Sequence, residues 1–244
     1  MTPPPLTTTH LLSIGALALL PSVLWLFYYL RQDVHPEPRV VIIKLFLAGM
    51  LLPPFIASAE SAVQGWTVQF GFSSLALVFL MGAAFLEEAG KYLAALVIFY
   101  HNKEFDEPVD AMIYLIIVAL GFAASENIII TLNTASVDPS QNLFALLSLR
   151  FLGATLLHTL ASGIVGYFIA RSHFLNERFA IIRGLSWAIL LHSLFNFFIL
   201  KIADKDQASQ FVLPILSLLI GGSLIVAKDF QKLKKYGTSA LTEL

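Results

Sequence analysis

The chain has 244 residues, 57% of them hydrophobic and only 13% charged, with a mean hydropathy of +0.79 and a formal net charge of -1. Soluble domains carry about 25% charged residues, so this is the composition of an integral membrane protein, and no basic domain exists to bind nucleic acid. The chain contains no cysteine, which excludes disulfides, iron–sulfur clusters and thiolate metal sites.

No hydrophilic segment is long enough for a separate soluble domain, so residues 1–244 read as one integral-membrane domain. Residues 1–9 hold Pro3, Pro4 and Pro5 and no Lys or Arg. The first apolar segment runs from His10 to Leu30, with Pro21 inside it, and ends at Arg31. The positive charge follows the segment rather than preceding it, and the apolar run is too long for a secretory signal core. It is therefore an uncleaved anchor with its N-terminus outside. The link to Arg39 is polar and stiffened by Pro36 and Pro38.

A second segment spans Val40 to Ile56, and Pro53-Pro54 is expected to kink or end it. Residues Ser58 to Phe70, with Glu60, Gln64, Trp66 and Gln69, read as an external loop or a short interfacial helix. The third segment, Ser74 to Tyr100, contains Glu87, Glu88 and Lys91. A polar loop follows, with Asp106, Glu107 and Asp110 around Pro108 marking a helix start. The fourth segment, Val109 to Thr131, contains Glu126-Asn127; the fifth, Asn142 to Ala170, contains His158. The sixth, Gly184 to Ile202, contains His192 and Asn196, and the seventh runs from Phe211 to Ala227. A basic tail, residues 228–244, closes the chain.

Counted near the segment ends, eleven Lys and Arg fall on one side and two (Lys201, Lys205) on the other. By the positive-inside rule the expectation is an all-α, polytopic transmembrane bundle of about seven helices, N-terminus outside and C-terminus in the cytoplasm. Residues 228–244 then form a basic cytoplasmic tail in contact with anionic lipid.

The ionisable residues inside the segments carry the functional question. A charge at the bilayer centre costs about 2.5–3.5 kcal/mol by insertion scales. Lys91 lies four residues after Glu87 and three after Glu88, so a helix sets its ammonium beside both carboxylates. One pair would be structural glue; the second Glu is surplus to it. Counting about 1.5 Å per residue, Glu87, His158 and His192 fall near one level at or below the midplane, while Glu126 comes out higher, in the outer half. Ser162 and Asn196 each sit one turn beyond a histidine, placed to bond it or to reach the same cavity.

Carboxylates and histidines can supply what amide hydrolysis needs: a base for water, a group to stabilise the oxyanion and an acid for the leaving amine. In a metal version His158, His192 and Glu126 would form a His₂Glu zinc set, with Glu88 or Glu87 as general base and Lys91 steadying the other. The rival reading is a proton-coupled transporter or channel, since buried Glu, His and Lys also make proton relays. Transporters commonly use broken helices and internal repeats; the third to sixth segments have no interior proline and no half-to-half repeat.

Glu87-Glu88-Ala89-Gly90-Lys91 matches the EExxK motif of the PrsW family of intramembrane proteases, and Phe122-Ala123-Ala124-Ser125-Glu126-Asn127 matches its FxxxEN motif. His158 follows on the next segment, and His192-Ser193-Leu194-Phe195-Asn196 resembles the HxxxN motif of the wider CAAX-protease and bacteriocin-processing superfamily. Asp33 with Pro36-Glu37-Pro38, and Glu107-Pro108-Val109-Asp110, also resemble PrsW members. The resemblance covers roughly residues 30–200 and implies a membrane-embedded endopeptidase of the bacterial cytoplasmic membrane. It implies Glu87, Glu88, Lys91, Glu126, His158, His192 and Asn196 as site residues. The implied substrate is a membrane-anchored protein, an anti-sigma factor in some members. Glu126 stands where the CAAX branch has a histidine, which separates the chain from enzymes acting on prenylated substrates. The superfamily includes both metalloproteases and metal-free, glutamate-dependent enzymes.

Overall fold

A computed structural model describes residues 7–33, 35–71, 77–99, 102–138, 140–203 and 208–242. The elements are α1 (Thr8–Leu30), α2 (Arg39–Gln69), α3 (Leu77–Phe99), α4 (Pro108–Val137), α5 (Leu143–Arg150), a π-helical turn (Phe151–Thr155), α6 (Leu156–Phe174), α7 (Ala180–Ala203) and α8 (Ala208–Thr242). The α5–π–α6 stretch forms one rod, so the bundle has seven rods among the described residues. Six are long and apolar enough to cross a membrane. The remaining one, α3, is 23 residues long and carries Glu87, Glu88 and Lys91 along its buried face.

Helix α4 is the axis of the bundle. Every residue from Val109 to Ala124 is buried, as a helix apolar all round must be. Around it pack α1, α2 and α6, with α3 and α8 touching it less. The outer rods turn Leu51, Phe55 and Leu213 outward, fully enough to meet lipid tails. The α2–α4 crossing is closest at two glycines. A methyl group on Gly49 would overlap the Val118 carbonyl, and one on Gly121 would overlap the Phe46 carbonyl. Small residues let membrane helices approach backbone to backbone, where packing replaces the hydrophobic drive.

Four expectations change. Helix α2 continues through Pro53 and Pro54 to Gln69, so residues 58–69 are helix and not an external loop. Within a bundle, neighbouring helices and side chains support an interior proline that would break an isolated helix. Helix α4 reaches Val137, six residues past the expected end at Thr131. The fifth rod is interrupted by the π-turn at Phe151–Thr155. Helix α8 runs on through the basic residues to Thr242, with Lys232 bonded to Asp229 at 2.9 Å and Lys234 to Gln32 at 3.2 Å. Ser74 and Tyr100, the expected ends of the third segment, lie outside the described residues, as do Lys205 and residues 243–244.

The start of α4 follows the expectation. Pro108 occupies its first turn, and the Asp110 carboxylate accepts the backbone N–H groups of Asp106 and Glu107 at 3.2 and 2.7 Å.

Candidate active site

Helices α3, α4, α6 and α7 bring their ionisable side chains to one point. On α3, the i, i+3 and i, i+4 spacings place Lys91 beside both acids: its Nζ is 2.7 Å from Glu88 Oε1 and 3.5 Å from Glu87 Oε2. Lys91 is 0% exposed. Its ammonium also lies 3.0 Å from His158 Nδ1 and 4.5 Å from the centre of the Phe122 ring. Phe122 therefore does more than fill space; its π-face adds to the cation's stabilisation.

Glu88 is 1% exposed and has three partners. Oε1 accepts from Lys91 and faces His192 Nδ1 at 2.9 Å, and Ser162 donates to Oε2 at 3.3 Å. Ser162 thus serves the acid of α3 rather than His158. Glu87 is held more loosely. Its Oε2 lies 3.8 Å from His158 Nδ1, and its Oε1 lies 3.7 Å from His192 Nε2. The two imidazole rings meet edge to face with centres 5.2 Å apart.

Each histidine commits one nitrogen to a carboxylate: His158 Nε2 to Glu126 at 2.9 Å, and His192 Nδ1 to Glu88. The other nitrogen of His192 lies 3.7 Å from Glu87, while that of His158 accepts from Lys91 at 3.0 Å with Glu87 3.8 Å away. A carboxylate on the far nitrogen is how metal-ligating histidines are oriented. One ligand atom from each of Glu87, Glu88, His158 and His192 lies within 4.8 Å of the others. Glu126, the carboxylate of the expected His158–His192–Glu126 set, is not in that group; its Oε2 lies 2.9 Å from His158 Nε2.

Glu126 meets His158 directly, where the depth count placed it higher. Measured from the observed ends, Glu126 lies roughly 16 Å from the end of α4 and His158 roughly 22 Å from the start of α5. Both sit near the middle of long rods, and the missing turns of α4 account for the discrepancy.

These groups surround a cavity of about 440 Å³ lined by Glu87, Glu126, Arg150, His158, His192 and Asn196, among others. Leu149, also on its wall, is 73% exposed, so the cavity reaches the bundle surface beside α5. Glu87 lines the cavity and Glu88 lies behind it. Asn196 faces the cavity one turn from His192, as its spacing predicts.

Two functional neighbours are absent from the sequence reading. Arg150 donates to Glu126 Oε2 at 3.2 Å and to Asn127 Oδ1; it was visible as an arginine inside an apolar segment. Asn127 continues the chain, donating to Thr155 Oγ1 at 3.3 Å. Glu60 of α2 comes within electrostatic reach of Glu87, and its place in a stretch expected to be an external loop or a short interfacial helix concealed it. The π-turn lies at the same level, where a wider turn exposes backbone carbonyls. One of them, Phe151 O, accepts from Trp25 Nε1 at 3.0 Å.

The profile of the PrsW family, described as intramembrane metalloproteases, matches residues 37–221. Protease PrsW of Clostridioides difficile (strain 630) is 26% identical over 231 residues, covering 92% of each chain. Protease PrsW of Oceanobacillus iheyensis is 28% identical over 189 residues, covering 77% of this chain and 83% of its own. Protease PrsW of Bacillus subtilis (strain 168) is 25% identical over 182 residues, covering 73% and 78%. No solved structure matches the chain significantly.

Proposed function

The chain belongs to the PrsW family of intramembrane proteases, and from that premise we propose that it hydrolyses a peptide bond of a membrane-anchored protein in the cavity at Glu87. The observation that carries this reading is the division between the two acids. Glu88 is saturated by Lys91, His192 and Ser162, while Glu87 lines the cavity with a histidine nitrogen near each of its oxygens. The contacts of Glu87 with Lys91 and the two histidines are all 3.5 Å or longer, and a carboxylate that meets water and is held this loosely is the one able to take water's proton.

Glu87 is then the general base, and Glu88 and Lys91 are positioning residues. Lys91 sets its ammonium beside both carboxylates, 2.7 Å from Glu88 and 3.5 Å from Glu87, and so offsets their mutual repulsion. His192 Nε2 and the Asn196 amide face the same cavity and supply donors for the developing oxyanion. Glu87, once it has taken water's proton, can return it to the leaving amine, and His158, braced by Glu126 and through it by Arg150, helps to hold that side of the cavity in place.

The donor set also suits a divalent metal. Among the described residues, Glu60, Glu87, Glu88 and Glu126 meet two permanent cations, Lys91 and Arg150, a shortfall that protons or a divalent ion would fill. Glu87, His158 Nδ1 and His192 Nε2 would hold zinc, a His₂Glu set with carboxylates behind both histidines. The Lys91 ammonium would have to release Nδ1. Zinc held there would supply Lewis acidity and a water of lowered proton affinity. Glu126 is then the carboxylate left on the cavity to accept a proton.

The test is cleavage of a co-expressed membrane-anchored substrate. Glu87→Gln should insert and fold normally yet lose cleavage by at least about 100-fold. Chelation followed by zinc decides whether the metal is needed. Full cleavage by Glu87→Gln would end this assignment.

A further inference from the structure

A second group of acids lies away from the catalytic cavity, where the α1–α2 link meets the start of α4. Asp33, Glu107 and Asp110 each offer a carboxylate oxygen, and these three oxygens lie within 4.8 Å of one another. Part of their role is local. Asp33 accepts the backbone N–H of His35 and of Glu37 at 3.1 and 3.2 Å, His35 Nδ1 bonds Glu107, and Asp110 caps α4. Those bonds explain the shape of the link and the cap.

They do not explain Glu37. Its side chain is only 7% exposed, and it lies within electrostatic reach of both Asp33 and Asp110. Tyr114 bonds its carboxyl group, yet Oε2 is buried with no hydrogen-bond partner. A buried, unpartnered carboxylate oxygen with other carboxylates nearby is costly unless something positive meets it. Around an ion with oxygen ligands at 2.3–2.6 Å, ligand atoms are at most about 5 Å apart, which the spacing here satisfies. The donors are carboxylate oxygens, which select a hard ion over zinc or copper.

We propose that Asp33, Glu107 and Asp110, with Glu37 behind them, bind a hard divalent cation such as Ca²⁺ or Mg²⁺ that ties the α1–α2 link to the start of α4. The site is separate from the catalytic carboxylates and shares no residue with them. Its occupancy fixes the end of the helix that carries Glu126.

The full-length chain, purified in detergent and stripped with EDTA, is titrated with CaCl₂ and with MgCl₂ by calorimetry, and its thermal unfolding is followed in parallel. One saturable site per chain, with a rise in Tm, is expected for at least one of the two ions. Asp33→Asn removes charge and keeps one of the two backbone bonds, since an amide offers a single acceptor oxygen, and it should bind about tenfold or more weakly; Glu37→Gln, which breaks no backbone bond to Asp33, should weaken binding in the same direction. The Glu87→Gln/Glu88→Gln variant should bind like the wild type. Absence of saturable binding by the wild type with either ion would overturn the proposal. So would undiminished binding by both Asp33→Asn and Glu37→Gln, or loss of binding in the Glu87→Gln/Glu88→Gln variant, which would move the ion to the catalytic cavity.

Discussion

Replacing Lys91 by Met tests whether the buried charges at the site stand or fall together. Methionine keeps most of the stem's length and apolar packing, so the change is chiefly electrostatic. It removes an ammonium 2.7 Å from Glu88, 3.0 Å from His158 and 3.5 Å from Glu87. Breaking a buried pair from one side costs about 3–5 kcal/mol, because the charge left behind has nothing to balance it. Glu88 keeps His192 and Ser162, which places the loss near the lower end, about 3 kcal/mol. At about 2–4 °C per kcal/mol for a chain of this size, Tm should fall by roughly 6–12 °C. The companion Lys91→Met/Glu88→Gln removes the orphaned charge as well and should recover about 2 kcal/mol of stability in a double-mutant cycle, without recovering cleavage. Thermal unfolding in detergent provides the readout. A Lys91→Met protein within about 0.5 kcal/mol of the wild type, or a double variant no more stable than the single, would refute the network.

Three further outcomes are expected. Gly121→Leu drives a side chain into the Phe46 carbonyl on α2 and should cost at least about 1–3 kcal/mol, seen as loss of the monodisperse peak in detergent chromatography; Ala at the half-buried Gly15, where an added methyl meets nothing within 4 Å, should leave that peak unchanged. A reporter fused after Leu244 should report the cytoplasm, from the Lys/Arg asymmetry of the loops, and an external signal would reverse the orientation. Burial, helped by the nearby Asp33, pushes Glu37 up to about 7 from about 4.3 in a free chain. The native state then binds more protons between those values, so stability falls as pH rises through that window; in EDTA the decline should be steeper for the wild type than for Glu37→Gln.

The rods were legible because their apolar runs are long and the links between them are short and polar. What misled was a rule learned from water. Pro53-Pro54 and the polar residues after them look like a helix end and a loop, because an isolated helix tolerates neither. In the bundle, α4 lies against α2 at Gly49, and two of the polar residues beyond the prolines turn inward: Glu60 comes within electrostatic reach of Glu87, and Thr67 is buried. Polarity in a membrane chain thus marks either water or a site, and periodicity alone does not say which. The same ambiguity applies to Arg150, an arginine within an apolar run whose partners, Glu126 and Asn127, are 24 and 23 residues away in sequence.

The pairing of Glu87 and Glu88 with Lys91 could be read from spacing, but the difference between the two acids could not. Adjacent residues on a helix point about 100° apart, so only one of them can face a cavity set to one side. Which one depends on how α3 is rotated about its axis. That rotation is set by where α3 packs against α2 and α7, with Ala83, Ala84 and Ala95 buried in the contacts. In the observed rotation Glu88 turns toward Ser162 and His192, and Glu87 turns to the cavity. A rotation of one residue would exchange their roles without changing a letter of the motif. The assignment of Glu87 as base is therefore a statement about tertiary packing, and it predicts an asymmetry that the motif does not: Glu87→Gln should remove activity while leaving Tm nearly unchanged, whereas Glu88→Gln should disturb the Lys91 contact and lower Tm as well. Equal effects of the two substitutions on Tm would mean that both acids share one environment, and the distinction drawn between them would fail.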